Sequence, residues 1–94
     1  MTQTLDKVFT VAITSISLGR PHKTILFNDE THHFGDVIAQ IQKALNCDRS
    51  RAYEITKMAH RNGSAVVFNG NFERCEHVAS ILKEIGLLTK IEEA

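Results

Sequence analysis

The chain has 94 residues, enough for one small domain with a single core and too few for two. Apolar residues make up 43% and charged residues 23%, the balance of a globular protein and not of a disordered one. Eleven basic and 11 acidic side chains leave no net charge, which disfavours nucleic acid, because neutralising phosphates takes a basic excess or stripe.

The nearest basic group, Arg49, Arg51, Lys57 and Arg61, reads as the wet face of a helix. Residues 1–7 form a polar terminus. Residues 8–18, VFTVAITSISL, are β-prone, with Phe9, Val11 and Ile13 on one side of an extended chain, and are able to form an extra strand. Thr10, Thr14, Ser15 and Ser17 interrupt this run, which is too short to span a bilayer, so no membrane is expected. Gly19-Arg20-Pro21 breaks any regular element. Residues 1–21 are therefore an N-terminal extension and 22–94 the core domain. A short apolar run predicts a strand over 22–28, which turns polar at Asn28-Asp29-Glu30.

Over 34–45 the period changes to that of a helix: Phe34, Val37, Ile38, Ile41 and Leu45 make one apolar stripe, with Thr31 or His32 placed to close its start. Asn46-Cys47-Asp48 breaks the chain, and Asp48 is a suitable N-cap for a second helix over 49–60. That helix turns Ala52, Ile55 and Ala59 inward and Arg49, Arg51 and Glu54 outward, and Asn62-Gly63 ends it. A strand follows at 64–68, then a turn at 69–71 with Asn71 as a cap. A third helix over 72–85 carries the stripe Cys75, Val78, Ala79, Leu82 and Ile85, and Gly86 stops it. Residues 87–91 make the last strand. The order β-α-α-β-α-β implies an α+β sandwich, a small antiparallel sheet with three helices on one face.

Cys47 and Cys75 lack metal or redox spacing and read as free thiols in a reducing, cytoplasmic compartment. Cys75 lies on an apolar stripe, so its pairing with His77 or His60 as a nucleophile is less favoured than a buried small hydrophobe. His32, His33, His60 and Asp29 are the candidate metal ligands, but no ligand spacing supports them. With no phosphate loop or nucleotide fingerprint, the chain does not read as an enzyme, and no cofactor is expected. The informative stretch is 22–34, HKTILFNDETHHF. Its polar part fits a solvated turn and helix cap; it also fits a seat for a small cation. His60, at the end of the second helix, can be returned towards Asn28 and Asp29 by the βααβ path. An amide oxygen, a carboxylate and an imidazole nitrogen then match the three donors of a primary ammonium.

The run KTILFNDE, the helix end His60-Arg61-Asn62-Gly63 and the later Glu73-Arg74-Cys75-Glu76 resemble the ClpS adaptor family over roughly 22–94. These are N-degron recognition proteins that deliver substrates to the AAA+ Clp protease. The resemblance implies that Asn28, Asp29 and His60 hold the free α-amino group of a substrate, helped by Thr31 and by His32, which stands where the family has threonine. It implies an apolar pocket for the first side chain, lined by Phe34, Thr56, Ala59 and Leu87 with Ile41 or Ile55 behind. It also implies that Glu73 and Glu76 face a Clp-type unfoldase, although a basic position of the family is Val78 here. His32-His33-Phe34 replaces threonine–proline–methionine at the rim, and Thr56 and Ala59 are smaller than usual. The competing reading is a ClpS-fold interaction module with altered or lost N-degron specificity, able to form a homodimer through residues 8–18.

Overall fold

A computed structural model of the protein describes residues 19–94, so the strand and dimer contact expected at 8–18 lie outside the described residues. Three strands and three helices follow one another in the expected order: β1 (His22–Phe27), α1 (Phe34–Leu45), α2 (Arg49–Asn62), β2 (Ser64–Gly70), α3 (Phe72–Lys83) and β3 (Thr89–Glu93). β1 is central, with β2 and β3 antiparallel on either side. Period-two burial along β1 puts His22, Thr24 and Leu26 on the covered face and leaves Lys23, Ile25 and Phe27 half-buried on the other.

The β1–β2 register slips by one residue: Thr24 pairs with Phe68 and Ile25 with Val66, so Val67 bulges. The extra residue points inward and is only 2% exposed, which adds an apolar side chain to the core at the cost of one ladder position. Beside it, the Thr24 hydroxyl donates to the Cys75 carbonyl at 3.0 Å, so this buried polar group is satisfied.

Local signals set the helix ends. Asp48 and Asn71 cap α2 and α3 by accepting the Arg51 and Arg74 amides, each at 2.8 Å. Gly63 closes α2 at φ +91°, donating to the Ala59 carbonyl. The start of α1 differs from expectation. Its N-cap is His33, which makes no side-chain cap bond, and neither Thr31 nor His32 caps it. α3 ends at Lys83, before Ile85, and the chain turns through Gly86 at φ +86°. α3 lies against all three strands, α2 against β2, and α1 against both helices, so the helices cover one face. Leu26, Ile41, Ala52, Leu82 and Cys75 form the driest part of the interior.

Gln40 lies on the buried face of α1 and ties it to α3, donating to the Ile81 carbonyl at 2.6 Å. Among the described residues no helix is long and apolar enough to cross a membrane.

Candidate functional site

The site begins where β1 runs out of partners. The Phe27 amide still donates to the Leu88 carbonyl at 3.0 Å, and the Asn28 amide donates to the Gly63 carbonyl at 2.9 Å. The second bond fastens the strand end to the C-terminus of α2, as the βααβ path suggested. Beyond it the chain folds into a tight polar turn around Asp29. Its Oδ1 accepts from the Thr31 amide (2.7 Å), the Thr31 hydroxyl (2.8 Å) and the His32 amide (2.7 Å), and faces His32 Nδ1 at 2.9 Å. Such local acceptance is why aspartate favours turns. Oδ2 has no partner among the described residues.

The hydrogen bond from the His32 ring, followed by those from the His32 and Thr31 amides and the Thr31 hydroxyl, holds the Asp29 carboxyl well below the usual carboxylate range. Asp29 reciprocally raises the pKa of His32 above its ordinary value, and the Ile85 carbonyl, which meets the other ring nitrogen, adds to the rise. Asn28 donates from Nδ2 to Glu30 at 2.7 Å, which leaves its carbonyl oxygen for a further donor.

Behind this turn is a cleft lined by Leu26, Phe27, Asn28, Asp29, His32, Phe34, Val37, Thr56, Ala59 and Leu87. Its free volume is about 20 Å³, room for about one water. The wall is apolar with polar groups at one end, the composition that binds a small organic group. Thr56, which lines the cleft, donates its hydroxyl back to the Ala52 carbonyl at 2.8 Å. Phe34 sits over the rim, 40% exposed, with its ring edge-on to Tyr53 at 6.2 Å and to His60 at 5.8 Å between centroids.

Most of the residues expected to share a site are therefore neighbours. Asn28, Asp29, His32, Phe34, Thr56, Ala59 and Leu87 meet around one cleft, and Thr31 is bonded to Asp29 beside it. His60 is exposed and is not among the residues that line the cleft; its ring meets that of Phe34 edge-on, and it makes no hydrogen bond among the described residues. Ile41 and Ile55 do not line the cleft. They are 0% and 6% exposed and belong to the core behind it, because their helix stripes point at the sheet interior. Val37, Leu26 and Phe27 line the cleft in addition to the expected residues. Val37 shares the stripe of Phe34, one turn on, and that spacing was the signal for it. Tyr53, on the outer face of α2, carried no signal of its contact with Phe34.

Glu73 and Glu76 lie exposed on α3 and line a separate open groove of about 480 Å³, with His77, Ala79, Ser80, Lys83 and Ile91. Val78, where the family is basic, is 4% exposed and packs in the core. No group of three potential metal ligands exists among the described residues. Cys75 is buried, its thiol 3.8 Å from the Gly70 carbonyl oxygen.

The sheet, the covering helices and a cleft whose lining includes a carboxylate make up a small α+β domain. A family model described as ATP-dependent Clp protease adaptor protein ClpS matches residues 18–88, and the chain belongs to this family of adaptors. Among solved structures, Agrobacterium tumefaciens ClpS2 bound to L-phenylalaninamide aligns with a TM-score of 0.75 at 22% identity, over 80% of this chain and 98% of that one, which shows the shared fold. Human E3 ubiquitin-protein ligase UBR2 is 38% identical over 58 residues, and Drosophila melanogaster E3 ubiquitin-protein ligase UBR1 is 40% identical over 57. These segments cover 62% and 61% of this chain, which itself spans about 3% of the length of each ligase.

Proposed function

We propose that this protein is an N-degron adaptor: it binds the free α-amino group and first side chain of a substrate and delivers it to a Clp-type AAA+ unfoldase. The observation that carries the reading is the Asp29 carboxylate in the lining of a largely apolar cleft, its Oδ1 engaged by Thr31 and His32 and its Oδ2 without a partner among the described residues. An ionised carboxylate, the free carbonyl oxygen of Asn28 and the imidazole of His60 together offer three acceptors to an ammonium, with Thr31 beside them. The family supports the role, and the L-phenylalaninamide bound to Agrobacterium ClpS2 has the expected chemistry of an amine beside an aromatic side chain. The similarity to segments of two ubiquitin ligases supports a recognition module used in more than one degradation setting.

Hydrogen bonds to a charged group contribute about 1.5–3 kcal/mol each, and burying one large side chain contributes about as much. A micromolar complex, near −8 kcal/mol, is within reach of these terms after the cost of association. Titration with peptides that begin with Leu, Phe, Tyr or Trp, each with an N-acetylated copy, tests the reading. Binding of the free-amine peptides alone is expected, and equal binding of both forms overturns it.

The small cleft favours a second reading of its specificity. With about 20 Å³ free, a large first side chain enters only when Phe34 swings off the rim. A ClpS-fold interaction module with altered N-terminal preference fits that closure. The same titration extended to Gly, Ala and Ser at the first position separates the two readings.

A further inference from the structure

The amine-clamp reading leaves the surroundings of His32 unused. Its ring has acceptors against both nitrogens: Nδ1 faces Asp29 Oδ1 at 2.9 Å, and Nε2 faces the carbonyl oxygen of Ile85, 53 residues on in the chain, at 2.5 Å. An ionised carboxylate and a carbonyl cannot donate, so each contact requires a proton on the ring. A ring with both protons is an imidazolium. A neutral ring would set a nitrogen lone pair against one of the two oxygens. The side chain is only 25% exposed and spans the gap between the two turns, with Gly86 beside it: a Cβ on Gly86 would lie 4.0 Å from His32 Cε1.

We propose that His32 is a protonated strut between the Asp29 turn and the α3–β3 turn, which holds Asp29 Oδ2 open for an incoming ammonium and fixes the width of the cleft. This rests on the amine-clamp reading and gives His32 a different part in it. With both nitrogens occupied the ring has no lone pair to offer an amine, so His32 is a positioning residue that acts through Asp29.

The geometry accounts for why a strut matters here. Asn28, Asp29 and His32, from the turn after β1, and Leu87, two residues after the Ile85 carbonyl, all line the cleft. The charged groups that act on the ring are Asp29 and, from the first turn of α1, Asp36, and both favour the cation. From the α3–β3 turn the group facing it is the uncharged Ile85 carbonyl. As pH rises through the raised pKa of His32 the ring loses one proton. The remaining proton stays on the charge-assisted bond to Asp29, which is the stronger of the two, and the contact with Ile85 opens. The cleft loses its brace on the alkaline side.

The test compares the full chain with its His32→Gln variant for affinity towards one free-amine peptide, from about pH 6 to about pH 9, a range that spans the ordinary histidine pKa. The peptide amine titrates identically against both proteins, so the ratio of affinities isolates His32. The wild type is expected to bind about tenfold tighter at the acid end, the worth of one charge-assisted bond, with the ratio falling towards one at the alkaline end. In the ligand-free protein, ¹⁵N NMR is expected to show both His32 nitrogens protonated on the acid side of a midpoint that lies above 6.5 and that the Gly86 amide shares. A flat ratio, or a His32 midpoint at or below 6.5, overturns the strut. Failure of the wild type to bind any free-amine peptide at any pH overturns the clamp reading and the positioning role with it, while the NMR midpoint separately decides the strut.

Discussion

At Asp29 one carboxylate oxygen takes four donors while the other takes none among the described residues, and this division makes the residue a turn-former and a candidate clamp together. Asp29→Asn separates the two parts. An asparagine oxygen can still accept the Thr31 and His32 amides, so the turn is kept, but the charge is lost. Affinity for a free-amine peptide is expected to fall about tenfold or more; an unchanged titration would remove Asp29 from the clamp. The same variant exposes a pH window in stability. The depressed Asp29 pKa gives stability that is present above the ordinary carboxylate value of 3.8 and is lost as pH falls through the folded-state value. The raised His32 pKa gives stability that is fully present below 6.5 and is lost as pH rises through the folded-state value. The melting-temperature difference between wild type and Asp29→Asn should therefore be flat between these two values and shrink on either side. A second residue-scale outcome concerns Phe34, whose ring closes the rim. Phe34→Ala removes that cover from the first turn of α1, and a peptide array should shift towards bulky first residues; an unchanged order of preference would show that the rim does not select.

At the scale of elements, three helix ends were legible because their signals are local, whereas the start of α1 and the end of α3 were not. Asp48, Asn71 and Gly63 carry their caps in their own side chains or lack of one, and the structure places each as the pattern implies. The bulge at Val67, the bond from His32 to Ile85 and the seat of Phe34 against Tyr53 were not legible, because each joins residues far apart in the chain and no local period encodes them. Ile41 and Ile55 illustrate the same limit: helical spacing identifies a buried stripe but does not tell cleft lining from deep core. The cap of α2 allows a comparison between two end effects. Asp48→Ala removes a side-chain cap and should cost about 1 kcal/mol. Gly63→Ala meets no atom within 4 Å, so its cost is backbone strain at φ +91°, on the order of 1–2 kcal/mol. The two lower the stability by similar amounts in chemical denaturation. Only Gly63→Ala should also weaken peptide binding, because the Gly63 carbonyl holds the Asn28 amide at the clamp. Equal peptide affinity in both variants would uncouple the helix end from the site.

Across the whole molecule the cleft and the α3 groove draw on different surfaces. The cleft is built from the end of β1, the starts of the α1 and β3 segments and the inner side of α2; the groove lies along the outer face of α3 with Ile91 of β3. No residue lines both. An adaptor needs this separation, since it must hold a substrate and a delivery partner together. Reversing charge on exposed Glu73 and Glu76 leaves the core untouched, so the Glu73→Lys, Glu76→Lys double variant should fold normally and bind peptides within about twofold of wild type, as distant sites act nearly independently. Its delivery of a model substrate to a Clp-type unfoldase should fall, because a reversed charge at a contact opposes docking. Asp29→Asn should show the opposite loss of peptide binding with docking to the unfoldase retained. Degradation assays with both variants, run beside peptide titrations, distinguish the arrangements: if the double lysine variant delivers as well as wild type, the α3 groove is not the delivery surface, and if it loses peptide affinity instead, the two surfaces are coupled through the core.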